Sequence, residues 1–232
     1  MDYSRNATYF TDLPKGGCSG CLGILLGLGG IGGLLNGDIV AGIGCIVVAG
    51  ILVAMSSSAQ NKDTRISGGE YDAAIAKYVD GLSRTRVLEK LGVNASEVRE
   101  IAPIILGGYE FAGADKVKQG TDQRWRSNVY KVVMLFFSRN ELYCYTLRFM
   151  TTEDYILNEA TDVYFYQDVV SVSTASVNET VEVGENEITI NTEAFTLTTK
   201  GGTSITVNLL NSQYAQKSIN AMRALLREKK QA

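Results

Sequence analysis

The run Asn128–Ser138, NVYKVVMLFFS, and the run Leu142–Thr151, LYCYTLRFMT, decide the fold. Both are dense in β-branched and aromatic residues, which suit a pleated, packed surface. Arg139-Asn140-Glu141 between them is the length of a hairpin turn. Outward from this hairpin, Ile105–Phe111 reads as an earlier strand. Thr161–Tyr166, Val169–Val183, Glu187–Thr199 and Ser204–Leu210 read as later ones, with turns at Gly184-Glu185-Asn186 and Gly201-Gly202. The chain then changes period. Ser212–Lys230 places Tyr214, Ile219, Met222, Leu225 and Leu226 on one helical stripe. About seven antiparallel strands and a closing amphipathic helix predict a sandwich or open barrel with the helix plugging one end.

Upstream, Tyr71, Ala74, Ile75, Tyr78, Val79 and Leu82 recur at helical spacing. A second helix over Thr85–Leu91 stops at Gly92, a C-cap residue. Asn94 or Ser96 is placed to start a third, cut off before Pro103. Ser56–Gly69 is small and polar and reads as a linker.

Residues 16–55 differ from everything else. They hold 13 of the 24 glycines and one charge, Asp38. Cys18–Leu35 and Ile39–Met55 are uncharged, and about 20 helical residues cross a bilayer core of about 30 Å. The short Asn36-Gly37-Asp38 turn makes them a helical hairpin, because backbone polar groups in lipid must be satisfied internally. A secretory signal peptide would have a shorter apolar region and no second span; a buried core hairpin is the other reading. Gly16/Gly20, Gly23/Gly27 and Gly29/Gly33 are small-xxx-small pairs, continued by Gly42 and Gly50, and suit close helix packing or self-association. Arg5 and Lys15 precede the apolar stretch and Lys62 and Arg65 follow it, so both termini are expected on the cytoplasmic side.

Composition excludes several classes. The chain has no histidine, which removes the usual general base near neutral pH and the commonest zinc ligand. A net charge of −3 without a basic stripe does not suit nucleic acid. Gly27-Leu-Gly29-Gly30-Ile-Gly32 matches a dinucleotide pattern only literally, with no strand–turn–helix context. Cys18 and Cys21 lack a second pair to complete a metal site, though their position suits S-acylation. Neither a metal, a cofactor nor a catalytic residue is assigned. Charge is uneven: seven Lys or Arg face three acids between Asp115 and Arg148, whereas Thr151 to Thr199 holds ten acids and no base. Lys116, Lys118, Arg124 and Arg126 therefore form a candidate lipid or partner contact.

Tyr164–Thr174 (YFYQDVVSVST), Phe195–Leu209 (FTLTTKGGTSITVNL) and the closing INAMRALLREKK resemble bacterial pleckstrin-homology-like domains, which often follow membrane helices. The resemblance covers roughly Ile104–Lys230 and implies a binding or scaffolding role without catalytic residues.

The expectation is an α+β chain in five parts: a cytoplasmic segment 1–15, a glycine-rich two-helix transmembrane hairpin 16–55, a linker 56–69, a helical segment 70–103, and a pleckstrin-homology-like antiparallel β-barrel or sandwich with a C-terminal helix, 104–232. The expected function is a membrane-anchored, self-associating scaffold or adaptor at the bacterial inner membrane. Its partners would be the lipid bilayer, further copies of itself and a protein bound by the β domain. The alternative is an oligomeric pore-forming or membrane-perturbing effector with the β domain as sensor.

Overall fold

The computed structural model describes residues 1–11, 65–82, 84–183, 186–210 and 212–231. The chain divides into two compact units, one of Met1–Phe10 with Ile66–Ala232, the other of Thr11–Arg65. The first is built on a four-stranded antiparallel sheet. Its strands are β1 (Ile104–Tyr109), β4 (Val129–Phe137), β5 (Glu141–Met150) and β6 (Ile156–Phe165), side by side in that order. A small hairpin of β2 (Val117–Gln119) and β3 (Trp125–Ser127) interrupts the path from β1 to β4. A second sheet holds β7 (Val169–Val183), β8 (Asn186–Thr199) and β9 (Ser204–Asn208).

Both faces of the four-stranded sheet are covered, which explains why β4 and β5 read as nearly continuous apolar runs. One face sends Tyr130, Val132, Met134, Tyr145, Leu147 and Phe149 toward two helices, α2 (Gly68–Asp80) and α3 (Arg84–Leu91), which contribute Ile75, Val79, Val87 and Leu88. The opposite face sends Val133, Leu135, Phe137, Leu142 and Cys144 against Phe195, Leu197 and Val207 of the second sheet. The C-terminal helix α4 (Ser212–Gln231) packs into that same core with Ile219, Met222, Leu225 and Leu226. Burial within it pushes the Cys144 thiol up to about 12, so the sulfur packs as a small apolar group at neutral pH.

Local chemistry sets the helix ends. Ser67 and Glu70 form a reciprocal capping box at the start of α2. At the end of α3, Gly92 takes a positive φ of 70° while its N–H and that of Val93 bond back to Glu89 and Leu88. Asn94 does not begin a third helix. Its backbone and side chain both donate to Glu97 Oε1, and the chain makes only a turn before Pro103.

The N-terminal decapeptide belongs to this unit. Helix α1 (Tyr3–Ala7) begins at an Asp2 cap and is followed by a 3-10 turn, Thr8–Phe10. Asn6 is buried and donates to the Thr151 carbonyl at 2.8 Å. The chain leaves at Phe10 and returns at Ile66, whose N–H donates to Thr8 Oγ1 at 3.3 Å.

Two parts of the expected fold are corrected. The sheets do not close into a barrel: β1 and β9 meet through the Leu210 N–H to Gly107 carbonyl bond and the Asn208 side chain on the Tyr109 carbonyl, and no ladder joins β6 to β7. The 3-10 turn Tyr166–Asp168 carries the chain from one sheet to the other and ends the pairing there. The transmembrane hairpin is not supported. Among the described residues no helix is long and apolar enough to cross a membrane, and 16–55 lie outside the described residues. The longest described helix, α4, carries Lys217, Arg223, Arg227, Glu228, Lys229 and Lys230.

The β1–β9 seam makes one prediction. A Cβ on Gly108 would sit 2.3 Å from the Asn208 carbonyl oxygen, an atom of a packed backbone that cannot swing aside. Gly108→Ala is expected to cost about 1–3 kcal/mol through overpacking, read as a lowered urea midpoint.

A candidate interaction cleft and the buried arginine beside it

Arg126 is the most constrained charge in the unit. Strand β3 delivers it inward, where its side chain is only 1% exposed. Nε and Nη2 donate to both oxygens of Asp72 on α2 at 2.7 Å each. Nη1 and Nη2 donate to both oxygens of Asp122 at 2.9 and 2.7 Å. One planar guanidinium thus satisfies two carboxylates in bidentate fashion. Asp72 also accepts from the Tyr109 hydroxyl at 2.6 Å. The hydrogen bonds from Arg126 hold the Asp122 carboxyl well below the usual carboxylate range. Around this hub the rings of Tyr9, Tyr71 and Tyr109 stack in sequence, with centroids 4.8 and 5.9 Å apart.

The four cations singled out in the sequence therefore separate. Lys116 and Arg124 are exposed at the β2–β3 hairpin. Lys118 is half-buried, donates to the Tyr9 carbonyl at 2.9 Å and sits over the Tyr9 ring. Arg126 is neutralised inside. Lys131 and Arg148, two further cations of the basic stretch, both pair with Glu110. Of the cations counted along the sequence, Arg126, Lys131 and Arg148 are thus balanced by carboxylates within the domain. The glycines Gly16, Gly20, Gly23, Gly27, Gly29, Gly33, Gly42 and Gly50 lie outside the described residues.

Next to the hub, a cleft of about 860 Å³ opens between α1, α2, α3 and the sheet. Its floor is apolar: Ala74 and Tyr78 from α2, Leu82, Val87 from α3, Leu147 from β5 and Ile156 from β6. Two ion pairs stand at the cleft, among lining charges that also include Asp2, Lys77 and Arg86. Arg5 pairs with Glu70 at 2.9 Å across the mouth. Glu159 accepts from Lys90 and from the Tyr145 hydroxyl, the latter at 2.5 Å. Those bonds, Lys90 first, hold the Glu159 carboxyl below its ordinary range, while burial pushes the Tyr145 phenol up. Both groups are moved away from neutrality, the opposite of what general acid–base work near pH 7 requires. Among the described residues no three metal-ligating side chains cluster. What the cleft offers is apolar contact area with a polar rim, the anatomy of a binding surface.

Sequence reasoning missed this cleft because its walls come from five separate segments. It also missed the docking of the N-terminus, for which the only signal was the adjacent aromatic pair Tyr9-Phe10. No family model matches the chain, and no curated protein matches it.

Proposed function

We propose that the protein is a non-catalytic, self-associating scaffold or adaptor that holds a protein partner through its β domain and works at a lipid surface. The observation that carries this reading is the apolar-floored cleft, at which Arg5–Glu70 and Lys90–Glu159 are held as ion pairs. Such a site favours contact over proton transfer. The single charge within residues 16–55 supports the lipid association.

Light scattering on the purified full chain, with any bound detergent subtracted, tests the self-association. A defined oligomer is expected, and a monodisperse monomer at all concentrations overturns it. Flotation with liposomes tests the lipid association, and the reading fails there if the protein stays at the bottom of the gradient.

A further inference from the structure

The unit has strand edges of unequal standing. β1 lies beside β9, with backbone and side-chain hydrogen bonds across the seam. β7 is shielded at its start by α4, whose Arg223 Nε donates to the Val172 carbonyl at 3.1 Å and whose Lys230 Nζ donates to the Val169 carbonyl. β6 has neither protection: among the described residues no strand pairs with its outer edge. An edge strand presents a row of unpaired N–H and C=O groups, and natural edges are usually guarded by lysine, proline or a cover. The ten residues of β6, ILNEATDVYF, contain no lysine, arginine or proline. They expose Ile156, Val163 and Phe165 at 43, 49 and 51%. Ile156 and Glu159 also line the cleft, brought to one face by the register shift opposite Arg148 and Phe149, so a strand laid along Asn158–Phe165 would set every second side chain toward its apolar floor.

Acids outnumber bases around this edge, although Lys90 pairs with Glu159 and Lys200 with Asp168. From Thr151 to Thr199 there are ten acids and no base. Glu153 and Asp154 stand before β6, Asp162 within it and Asp168 after it. An occupant that is itself acidic would be repelled, whereas one carrying lysine or arginine gains attraction over distances of about 8–10 Å at physiological salt.

We infer that β6 is the docking edge for an extended, basic segment of a partner protein, which adds as a further strand to the four-stranded sheet and seats alternate apolar side chains over the cleft. This rests on the interaction reading above. Backbone hydrogen bonds supply the affinity, and the cleft and acidic surround supply the selectivity.

The test uses the full chain and fluorescein-labelled peptides of about ten residues, a usual strand length, alternating valine and lysine. One control replaces lysine by glutamate, and another N-methylates alternate amides. The lysine peptide is expected to bind and to slow amide exchange in Ile156–Phe165. The glutamate peptide and the N-methylated peptide are each expected to bind about tenfold more weakly or worse. Val163→Lys, at an exposed site, should weaken the lysine peptide by a similar factor while leaving the circular dichroism spectrum unchanged. Binding without protection of β6, equal binding of the N-methylated peptide, or no binding overturns the proposal. So does protection of β6 that grows with protein concentration in the absence of peptide, which would seat a second copy there. Light scattering on Val163→Lys separates the two claims: an oligomer that persists while the lysine peptide fails to bind leaves the scaffold reading standing and removes only the strand docking.

Discussion

Replacing Arg126 with methionine is expected to destabilise the fold by about 3 kcal/mol, the lower end of the cost of breaking a buried ion pair. The side chain lost is 1% exposed, and methionine fills much of its volume without donating to anything. Asp72, 20% exposed, keeps only the Tyr109 hydroxyl among the side-chain donors that held it, so a charge stays partly desolvated. Asp122 is 43% exposed and regains water when its partner goes, which is why the lower end of the range applies. Arg126→Lys is not expected to rescue, since a single ammonium cannot present two bidentate faces. The pH dependence supplies an independent check. Asp122 is depressed in the folded state, so the stability it contributes is present above the ordinary carboxylate value of about 3.9 and is lost as pH falls below it. Urea midpoints of the native chain and of Arg126→Met should therefore converge as the pH is taken from about 4 toward 2. A constant gap over that interval would mean that the Arg126–carboxylate pairs contribute nothing to the difference.

What could be read from the sequence depended on how far each signal reached along the chain. β4 and β5 were legible because burial on both faces writes an unbroken apolar run, and the turn between them is local. Gly92 was legible as a helix stop because the left-handed φ it supplies is a property of one residue. β6 was read only from Thr161, five residues late, because its first half, ILNEA, lies at an open edge and has no alternation to detect. The β2–β3 hairpin went unread since VKQ and WRS are three residues each, with no periodicity. Arg126 was counted with the loop cations because nothing nearby in sequence declares its burial. One of its carboxylate partners, Asp122, is four residues away, but the other, Asp72, is 54 away, on a helix that the sheet positions. Closure failed for a related reason. Strand count and a terminal helix suggest a barrel, but whether edges meet depends on where a turn such as Tyr166–Asp168 aims the next strand.

Tyr71 joins the three segments that build the hub and one wall of the cleft, and Tyr71→Ala is expected to cost about 3–5 kcal/mol, as for other large buried aromatics. Its ring is fully buried, stacked on Tyr9 and Tyr109 and met edge-on by Phe10. Its hydroxyl donates to the Ser127 carbonyl at 2.9 Å and is hydrogen-bonded to Thr151 Oγ1, whose own backbone carbonyl holds Asn6. The alanine variant removes the platform under Tyr9 and Phe10, so the N-terminal decapeptide should loosen first. Amide exchange in Tyr3–Phe10 and cleavage by a dilute protease should both rise before global unfolding. Tyr71→Phe separates the ring from the hydroxyl. It keeps the stack but removes the donor to a buried carbonyl, at a cost of about 1–3 kcal/mol, and should leave the N-terminus protected. If alanine proved no worse than phenylalanine and the decapeptide stayed protected in both, the aromatic stack would not be what holds the N-terminus. The wall of the cleft that it forms would then have to be secured by the Arg5–Glu70 and Asn6–Thr151 contacts alone.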